Sequence, residues 1–180
     1  MITLPSKFFL MLALLMAMTS LAKADLVAVW KFDGDVTDSS GNGHDGDLQG
    51  GAFSDDTPDV LSGGQSLSLA DGDHAVVPHS EMLTMTQAIT ISAYVKPGDN
   101  QWEGILAKNP SDDSGDNHAG NYELRIENGG RHLHFLHQQG GVDDTAFHQG
   151  TSAVIESDVW SHVAITADVD SGNVNFYVNG

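Results

Sequence analysis

Residues 160–180 read Trp160-Ser-His-Val-Ala-Ile-Thr-Ala-Asp168, then Val-Asp-Ser-Gly-Asn173, then Val-Asn-Phe-Tyr-Val-Asn-Gly180. In 163–168 and again in 174–178, apolar residues alternate with polar ones, which is the period of a half-buried strand. The turn cluster 170–173 predicts a hairpin between them, because Gly and Asn adopt positive φ readily. Asn179-Gly180 is another turn dipeptide, and a turn leads into a further strand. We therefore expect the last strands of the fold to be missing from this sequence.

The rest of the chain also shows strands and turns. The clearest alternation, Ile89–Val95, predicts a strand at the centre of a sheet, and Leu26–Phe32 predicts a first strand. Tyr122–Ile126 and His132–Leu136 flank a Gly-rich turn and predict a hairpin. Only Ser80–Thr86 suits a short helical turn. Many short strands predict an all-β fold, a two-sheet antiparallel β-sandwich of the jelly-roll kind.

Residues 1–24 have the pattern of a secretory signal peptide. Lys7 precedes an apolar run, Phe8–Met18, and Ala22-Lys23-Ala24 is a small-x-small cleavage site. The run is shorter than the roughly 20 residues that span a bilayer, which disfavours a membrane anchor. We expect a single domain, 25–180, with no membrane insertion after signal removal. Its expected location is secreted, at the cell surface, in the extracellular medium or in the periplasm.

The charge balance restricts the partners. Seven Lys and Arg stand against 25 Asp and Glu, a formal charge of −18, and there is no Cys. A chain this acidic has no basic surface for phosphate, which argues against nucleic acid as a partner. Without disulfides, an exported domain depends on its core, with help from a bound metal where there is one.

Several segments together resemble a laminin-G-like domain of the concanavalin A-like lectin/glucanase superfamily, in its bacterial secreted type. The resemblance runs from about Val27 to Gly180 and rests on 30–34, 38–46, 66–73, 88–97, 104–108, 121–125, Trp160 and 177–180. Tyr94 departs from the family, which usually has Trp there. The resemblance implies further strands after residue 180, a calcium-associated loop, and most often carbohydrate or glycan binding.

The loop from Asp33 to Asp47 is the candidate calcium site. It has five carboxylates, one Asn and four Gly in fifteen residues, and calcium prefers hard oxygen ligands on a bent backbone. The expected structural calcium site comprises Asp33, Asp35, Asp38, Asn42 and His44. The alternative is a turn in which Asp38 and Asn42 cap backbone N–H groups.

Catalysis is not expected. A retaining glycosidase needs two carboxylates about 5–5.5 Å apart. The nearest match, Glu156-Ser-Asp158, lacks a second Glu and lies in an expected turn. We therefore predict a non-catalytic carbohydrate-binding or adhesion module. The alternatives are a fragment of a glycoside hydrolase or other polysaccharide-active enzyme, and a structural spacer among other domains of a larger surface protein.

The expected ligand-binding residues combine aromatic rings with polar groups: Trp102, Asn109, Tyr122 and Arg125. The alternative for Trp102 and Tyr122 is that they cover the edge of the sandwich. His132, His134 and His137 are expected to be exposed strand residues, because two imidazoles on one face are too few for a structural zinc site.

Overall fold

The computed structural model describes residues 25–99, 102–108, 121–127, 129–138, 145–150 and 153–180. They form β1 (Asp47–Gln49), β2 (Ala52–Ser54), β3 (Ser66–Ser68), β4 (His74–Val76), β5 (Ala88–Val95), β6 (Glu103–Lys108), β7 (Tyr122–Ile126), β8 (Leu133–Gln138), β9 (Thr145–Gln149), β10 (Ser161–Asp168) and β11 (Asn173–Val178). A 3-10 turn, Glu81–Leu83, is the one helical element among these residues. No helix in this part of the chain has the length and apolar character needed to cross a membrane.

Two larger antiparallel sheets dominate the fold. One has three strands in the order β11-β10-β5, and the other has four in the order β6-β7-β8-β9. In the first sheet, Ile165 lies across from both Ile91 and Phe176. In the second, Leu124 lies across from Phe135. These pairs place large apolar side chains of neighbouring strands on the same side of each sheet.

The core lies between the two larger sheets. On β10, burial alternates strictly from Ser161 to Ala167, as the sequence pattern predicts. One buried cluster draws on both sheets and their connections: Met85, Ile91, Tyr122, Leu124, Ile126, Leu133, Phe135, Ile155, Val163, Ile165 and Ala167. Two sheets that share one apolar core form a sandwich. The prediction of an all-β antiparallel sandwich is therefore confirmed.

The predicted central position of Ile89–Val95 is wrong for the described residues. The strand forms as β5, but there it pairs only with β10, and β10 occupies the centre of the sheet. The periodicity of a strand identifies which face is buried, and both edge and central strands of a sandwich have one buried face. The alternation therefore did not determine how many neighbours the strand has.

The predicted first strand, Leu26–Phe32, is also not a strand. Only Trp30 forms an isolated bridge, to Asp38, and Phe32 has φ of 57°. The Asn42 amide donates to the carbonyl oxygens of Leu26 and Val27, at 2.9 and 2.8 Å. These carbonyl oxygens thus accept hydrogen bonds from the loop between Asp33 and Asp47, which we call the acidic loop, instead of from a neighbouring strand.

Two short strands follow the loop from Asp33 to Asp47. β1 pairs with β4, and β2 pairs with β3, so the chain changes sheets between β1 and β2. Gly50 and Gly51, with φ of 80° and 74°, make that change, since consecutive left-handed residues favour glycine. The helical turn predicted within Ser80–Thr86 is confirmed as Glu81–Leu83, and the Ser80 hydroxyl caps it by accepting from Met82 N at 3.3 Å.

Candidate functional site

Asp38 is the organising residue of the acidic loop. Its side chain has no exposed surface. Oδ1 accepts hydrogen bonds from the N–H groups of Val29, at 2.9 Å, and Ser40, at 2.8 Å. Oδ2 accepts from the N–H of His44, at 3.1 Å, and from the Ser40 hydroxyl, at 2.7 Å. Burial acts to raise the pKa of the Asp38 carboxyl, but these four hydrogen bonds outweigh it and hold the pKa far below its usual range.

His44 and Asn42 attach the same loop to the rest of the fold. The buried His44 ring lies with Nε2 3.0 Å from the Ser80 hydroxyl, and its backbone oxygen accepts from the Trp30 indole N–H at 2.8 Å. Asn42 binds the chain before Trp30 through its amide, as described above. The loop is therefore an internally hydrogen-bonded unit that fixes the N-terminal segment. Asp38 caps backbone N–H groups as the alternative proposed, whereas Asn42 satisfies carbonyl oxygens instead.

Asp33 and Asp35, two of the predicted calcium ligands, are both exposed. Asp35 Oδ1 accepts from the N–H and hydroxyl of Thr37, at 3.0 and 2.6 Å, and these bonds lower its pKa. Within the described ranges, no three His, Asp or Glu side chains are grouped so that they could hold a metal ion. Calcium binding by this loop stays a prediction.

A second cluster lies on the outer face of the four-stranded sheet. Trp102, immediately before β6, is 48 % exposed. The guanidinium carbon of Arg125 lies 4.4 Å from the centroid of the Trp102 ring, a cation–π contact. The centroids of the Trp102 and His134 rings are 5.8 Å apart. Trp102 has φ of 61°, a strained region for a residue with a side chain, and such strain is concentrated at ligand sites.

Register explains why these side chains meet. Arg125 of β7 lies directly across from His134 of β8, and Glu123 is two residues away on the same face. Arg125 Nε donates to His134 Nδ1 at 3.3 Å, and Arg125 Nη1 donates to Glu123 Oε1 at 3.3 Å. Burial, and then the charge of Arg125, lower the pKa of His134, so the ring is neutral at pH 7. We call Trp102, Glu123, Arg125 and His134 the tryptophan cluster.

The two other predicted ligand residues are not part of this cluster. Tyr122 is 4 % exposed and faces the core, where its hydroxyl donates to the carbonyl oxygen of Leu83 at 2.9 Å. Tyr122 and Arg125 are three positions apart on one strand, so their side chains lie on opposite faces. The structure therefore does not bring Tyr122 together with Trp102 and Arg125, and its side chain covers the core, as the alternative for this residue proposed. Asn109 lies outside the described residues.

Glu123 and His134 are members of the cluster that the sequence interpretation did not select. Glu123 lies two positions before Arg125 on the same strand, so its place on the same face could have been predicted from the sequence. His134 joins them only through the hairpin register. The expected exposure of the strand histidines is wrong, since His132 and His134 are half-buried and His137 is 1 % exposed. His137 faces inwards, with Nε2 3.2 Å from Nε2 of His148.

Carboxylates occur in three different places in the described part of the four-stranded sheet and its connections. Glu123 is the one acidic side chain on its outer face, and it is paired with Arg125. Glu103 lies across from the core-facing Ile126 and approaches Arg131 at 3.9 Å. Glu156 and Asp158 border a turn, as predicted, and Asp158 N donates to the carbonyl oxygen of Pro97.

Comparison with known families places these features in context. Residues 69–180, which run from just before β4 through β11, match the family model Laminin_G_3, described as the concanavalin A-like lectin/glucanases superfamily. The match covers more than half of the chain and begins after the acidic loop. No curated protein and no solved structure matches the chain.

Proposed function

The chain belongs to the concanavalin A-like lectin/glucanase superfamily, and from this membership we propose that the protein is a non-catalytic module for carbohydrate binding or adhesion. The superfamily includes lectins and glucanases, so membership alone does not separate binding from hydrolysis. Glu123, the one acid on the outer face of the four-stranded sheet among the described residues, is ion-paired with Arg125, and this pairing favours binding. The tryptophan cluster is the observation that carries the proposal.

The cluster provides the chemistry that saccharides need. An exposed indole offers an apolar face for the C–H groups of a sugar ring, and it keeps its position because Arg125 packs against it. Arg125 has donor N–H groups, and Glu123 has acceptor oxygens, both suited to ring hydroxyls. Because the two charges are paired, a neutral sugar can bind without leaving either one uncompensated.

Replacing Trp102 with alanine is the direct test. We expect saccharide affinity to fall roughly tenfold or more, since losing the aromatic platform removes about 1.4 kcal/mol or more of binding free energy. Trp102→Phe should retain most of the affinity, and Trp102→Ala should retain the melting temperature, because the side chain is exposed. Glycan-array screening followed by titration calorimetry measures the affinity, and thermal melts measure the melting temperature. Unchanged affinity in Trp102→Ala would refute binding at the tryptophan cluster.

Thermal melts in calcium and in chelator test the calcium prediction. If calcium binds the residues expected from the sequence, it should raise the melting temperature of the parent protein but not that of the double variant Asp33→Ala with Asn42→Ala. A rise that persists in the double variant places the ion elsewhere.

We also propose that the protein is exported. The support is the charged, apolar and small-residue pattern of residues 1–24, which lie outside the described residues. Mass spectrometry of protein recovered from outside the cytoplasm should give a mature chain beginning at Asp25. Recovery of a chain that keeps Lys7 would contradict cleavage.

A further inference from the structure

Two histidines face each other on the core side of the four-stranded sheet, next to its β9 edge. His137 of β8 is buried, and His148 of β9 is half-buried. Their Nε2 atoms are 3.2 Å apart, and the rings are nearly parallel, at 7°, with centroids 5.2 Å apart. This distance suits an N–H···N hydrogen bond between two neutral imidazoles. We call His137 and His148 the histidine pair.

The register of β8 and β9 explains why the rings meet. His148 lies directly across from Phe135, and Ala146 lies across from His137, so the two imidazoles are diagonal neighbours on one face. The centroids of the Phe135 and His137 rings are 5.8 Å apart. Among the described strands, β9 pairs only with β8 and is the edge of its sheet. The histidine pair is therefore a side-chain connection between an edge strand and the core.

One buried atom determines where the protons of the neutral pair lie. Within the described part of the chain, His137 Nδ1 is buried and has no hydrogen-bond partner. A buried N–H without an acceptor is costly and rare, so we assign a bare lone pair to His137 Nδ1 and the proton to its Nε2. His148 Nε2 then accepts the hydrogen bond, and its own proton lies on Nδ1.

An additional proton has no favourable position in this arrangement. On His148 Nε2, it faces the Nε2–H of His137, so two donors meet where one hydrogen bond was. If the proton of His137 moves to Nδ1 instead, it becomes a buried N–H without an acceptor. In both cases a positive charge enters the core side of the sheet, where it is poorly solvated.

The core side of the fold offers the pair no compensating charge. Tyr122 of β7 lies across from His137, and its hydroxyl already donates to the carbonyl oxygen of Leu83. Gly150, just after β9, lies against Phe176 of β11. The side chains that the three-stranded sheet contributes to the core cluster are apolar, as Phe176 is. Among the described residues, no third His, Asp or Glu groups with the pair.

The charges on the outer face of the same sheet also disfavour a protonated pair. Arg125 and His134 lie there, and the proximity of His148 contributes to the lowered pKa of His134. Burial, and then the neighbouring His137, lower the pKa of His148 itself. The surroundings on both sides of the sheet thus favour the neutral state of the pair.

We propose that the histidine pair is a pH-sensitive latch, which holds β9 against β8 at neutral pH and releases β9 when the pair takes up a proton. In the released state both imidazoles meet water, where the ordinary pKa of histidine is about 6.5. The open state therefore binds more protons than the closed state below that pH. Closure is thus unaffected above about pH 6.5 and weakens as the pH falls below it.

The release is local, because β9 is an edge strand. It can separate from β8 without unpairing β6, β7 and β8 from one another. The latch goes beyond the proposed function and does not depend on it, since neither histidine of the pair belongs to the tryptophan cluster.

Hydrogen exchange of the full chain, followed by mass spectrometry and corrected for the intrinsic effect of pH on exchange, tests the latch. From pH 7 to pH 5, the protection of the amides in 145–149 should fall roughly tenfold or more, since a difference of one pKa unit between the open and closed states is worth a factor of ten. The amides of 163–167 in β10 should keep their protection.

Two variants remove the titrating groups in different ways. His148→Gln keeps an acceptor oxygen for the His137 N–H but takes up no proton, and His137→Phe keeps a ring in the core. Each should reduce the acid-induced loss of protection in 145–149 several-fold. His74→Gln, at an exposed histidine outside the pair, is the control and should behave as the parent protein. Melting temperatures at pH 7 establish that each variant is folded.

Three outcomes of these exchange measurements would overturn the latch. The first is equal protection of 145–149 at pH 7 and pH 5 in the parent protein. The second is an acid-induced loss in the folded variants as large as in the parent. The third is an equal loss in β10, which would mean that acid loosens the whole sandwich. Nitrogen NMR of the parent protein at pH 7 needs no variant: His137 should have its proton on Nε2, and a proton on Nδ1 would also overturn the proposal.

Discussion

Replacing Leu124 with alanine is expected to lower the free energy of unfolding by about 3–5 kcal/mol. Leu124 has no exposed surface and lies in the middle of β7, where it packs in the shared core across from Phe135. Removing three side-chain carbons there loses burial and leaves a cavity that neighbouring strands cannot close. For a domain of this size, the corresponding fall in melting temperature is roughly 10 °C.

Leu61→Ala is the matched control for that measurement. It makes the same chemical change at a side chain that is 47 % exposed, outside the core cluster. Its effect should stay within about 0.5–1 kcal/mol. Urea unfolding of the parent protein and both variants gives the comparison. Equal destabilisation by the two substitutions would mean that the two larger sheets do not share the core described above.

Asp38→Asn is the second large effect that we expect, as a clear loss of several degrees in melting temperature at neutral pH. Each carboxylate oxygen accepts two hydrogen bonds, from Val29 and Ser40 N–H on Oδ1 and from His44 N–H and the Ser40 hydroxyl on Oδ2. In asparagine, one oxygen becomes an NH₂ donor. Whichever way the amide is turned, that NH₂ group faces at least one backbone N–H donor, so at least one hydrogen bond in the loop is lost.

The pH dependence of the same variant follows from the lowered pKa of Asp38. A carboxyl with a lower pKa in the folded state stabilises the fold fully above its unfolded pKa of about 3.9. That contribution disappears as the pH falls through the folded pKa. The gap in melting temperature between the parent protein and Asp38→Asn should therefore be constant from pH 7 to about 5 and narrow below about 4.

Asp35→Asn controls for the loss of one negative charge in this loop. Asp35 is exposed and binds only Thr37 among its described hydrogen bonds, so its substitution should change the melting temperature little. Thermal melts at several pH values compare the three proteins. A gap for Asp38→Asn that widens on acidification, or one no larger than for Asp35→Asn, would contradict the structural role of Asp38.

The sequence was most informative where one face of a strand is buried. Alternation located β5, β10 and β11, and turn residues located the β7–β8 hairpin, because burial on one face imposes a period of two. The same rule was insufficient for Leu26–Phe32, whose alternation is real but whose backbone hydrogen bonds go to a loop. β9 was not predicted, since Thr145–Gln149 has no clear alternation of apolar and polar residues.

The candidate site was partly predictable for a related reason. Trp102 and Arg125 were chosen by residue type, and they do contact each other, but the choice of Tyr122 ignored the parity that places it in the core. His134 depends on a register that only the folded hairpin defines. In the acidic loop, composition indicated oxygen ligands, whereas the hydrogen bonds of Asp38 show where those oxygens are directed.

The pairing of β5 with β10 has a consequence for the order in which the fold is assembled. Val95 pairs with Ser161, so the chain from 96 to 160, which includes the whole four-stranded sheet, separates the two partners. Closing such a long loop costs entropy before any hydrogen bond of the pairing repays it. The β7–β8 and β10–β11 hairpins need only short turns. We therefore expect the β5–β10 pairing to form after the hairpins, once the four-stranded sheet has brought residues 95 and 161 close together.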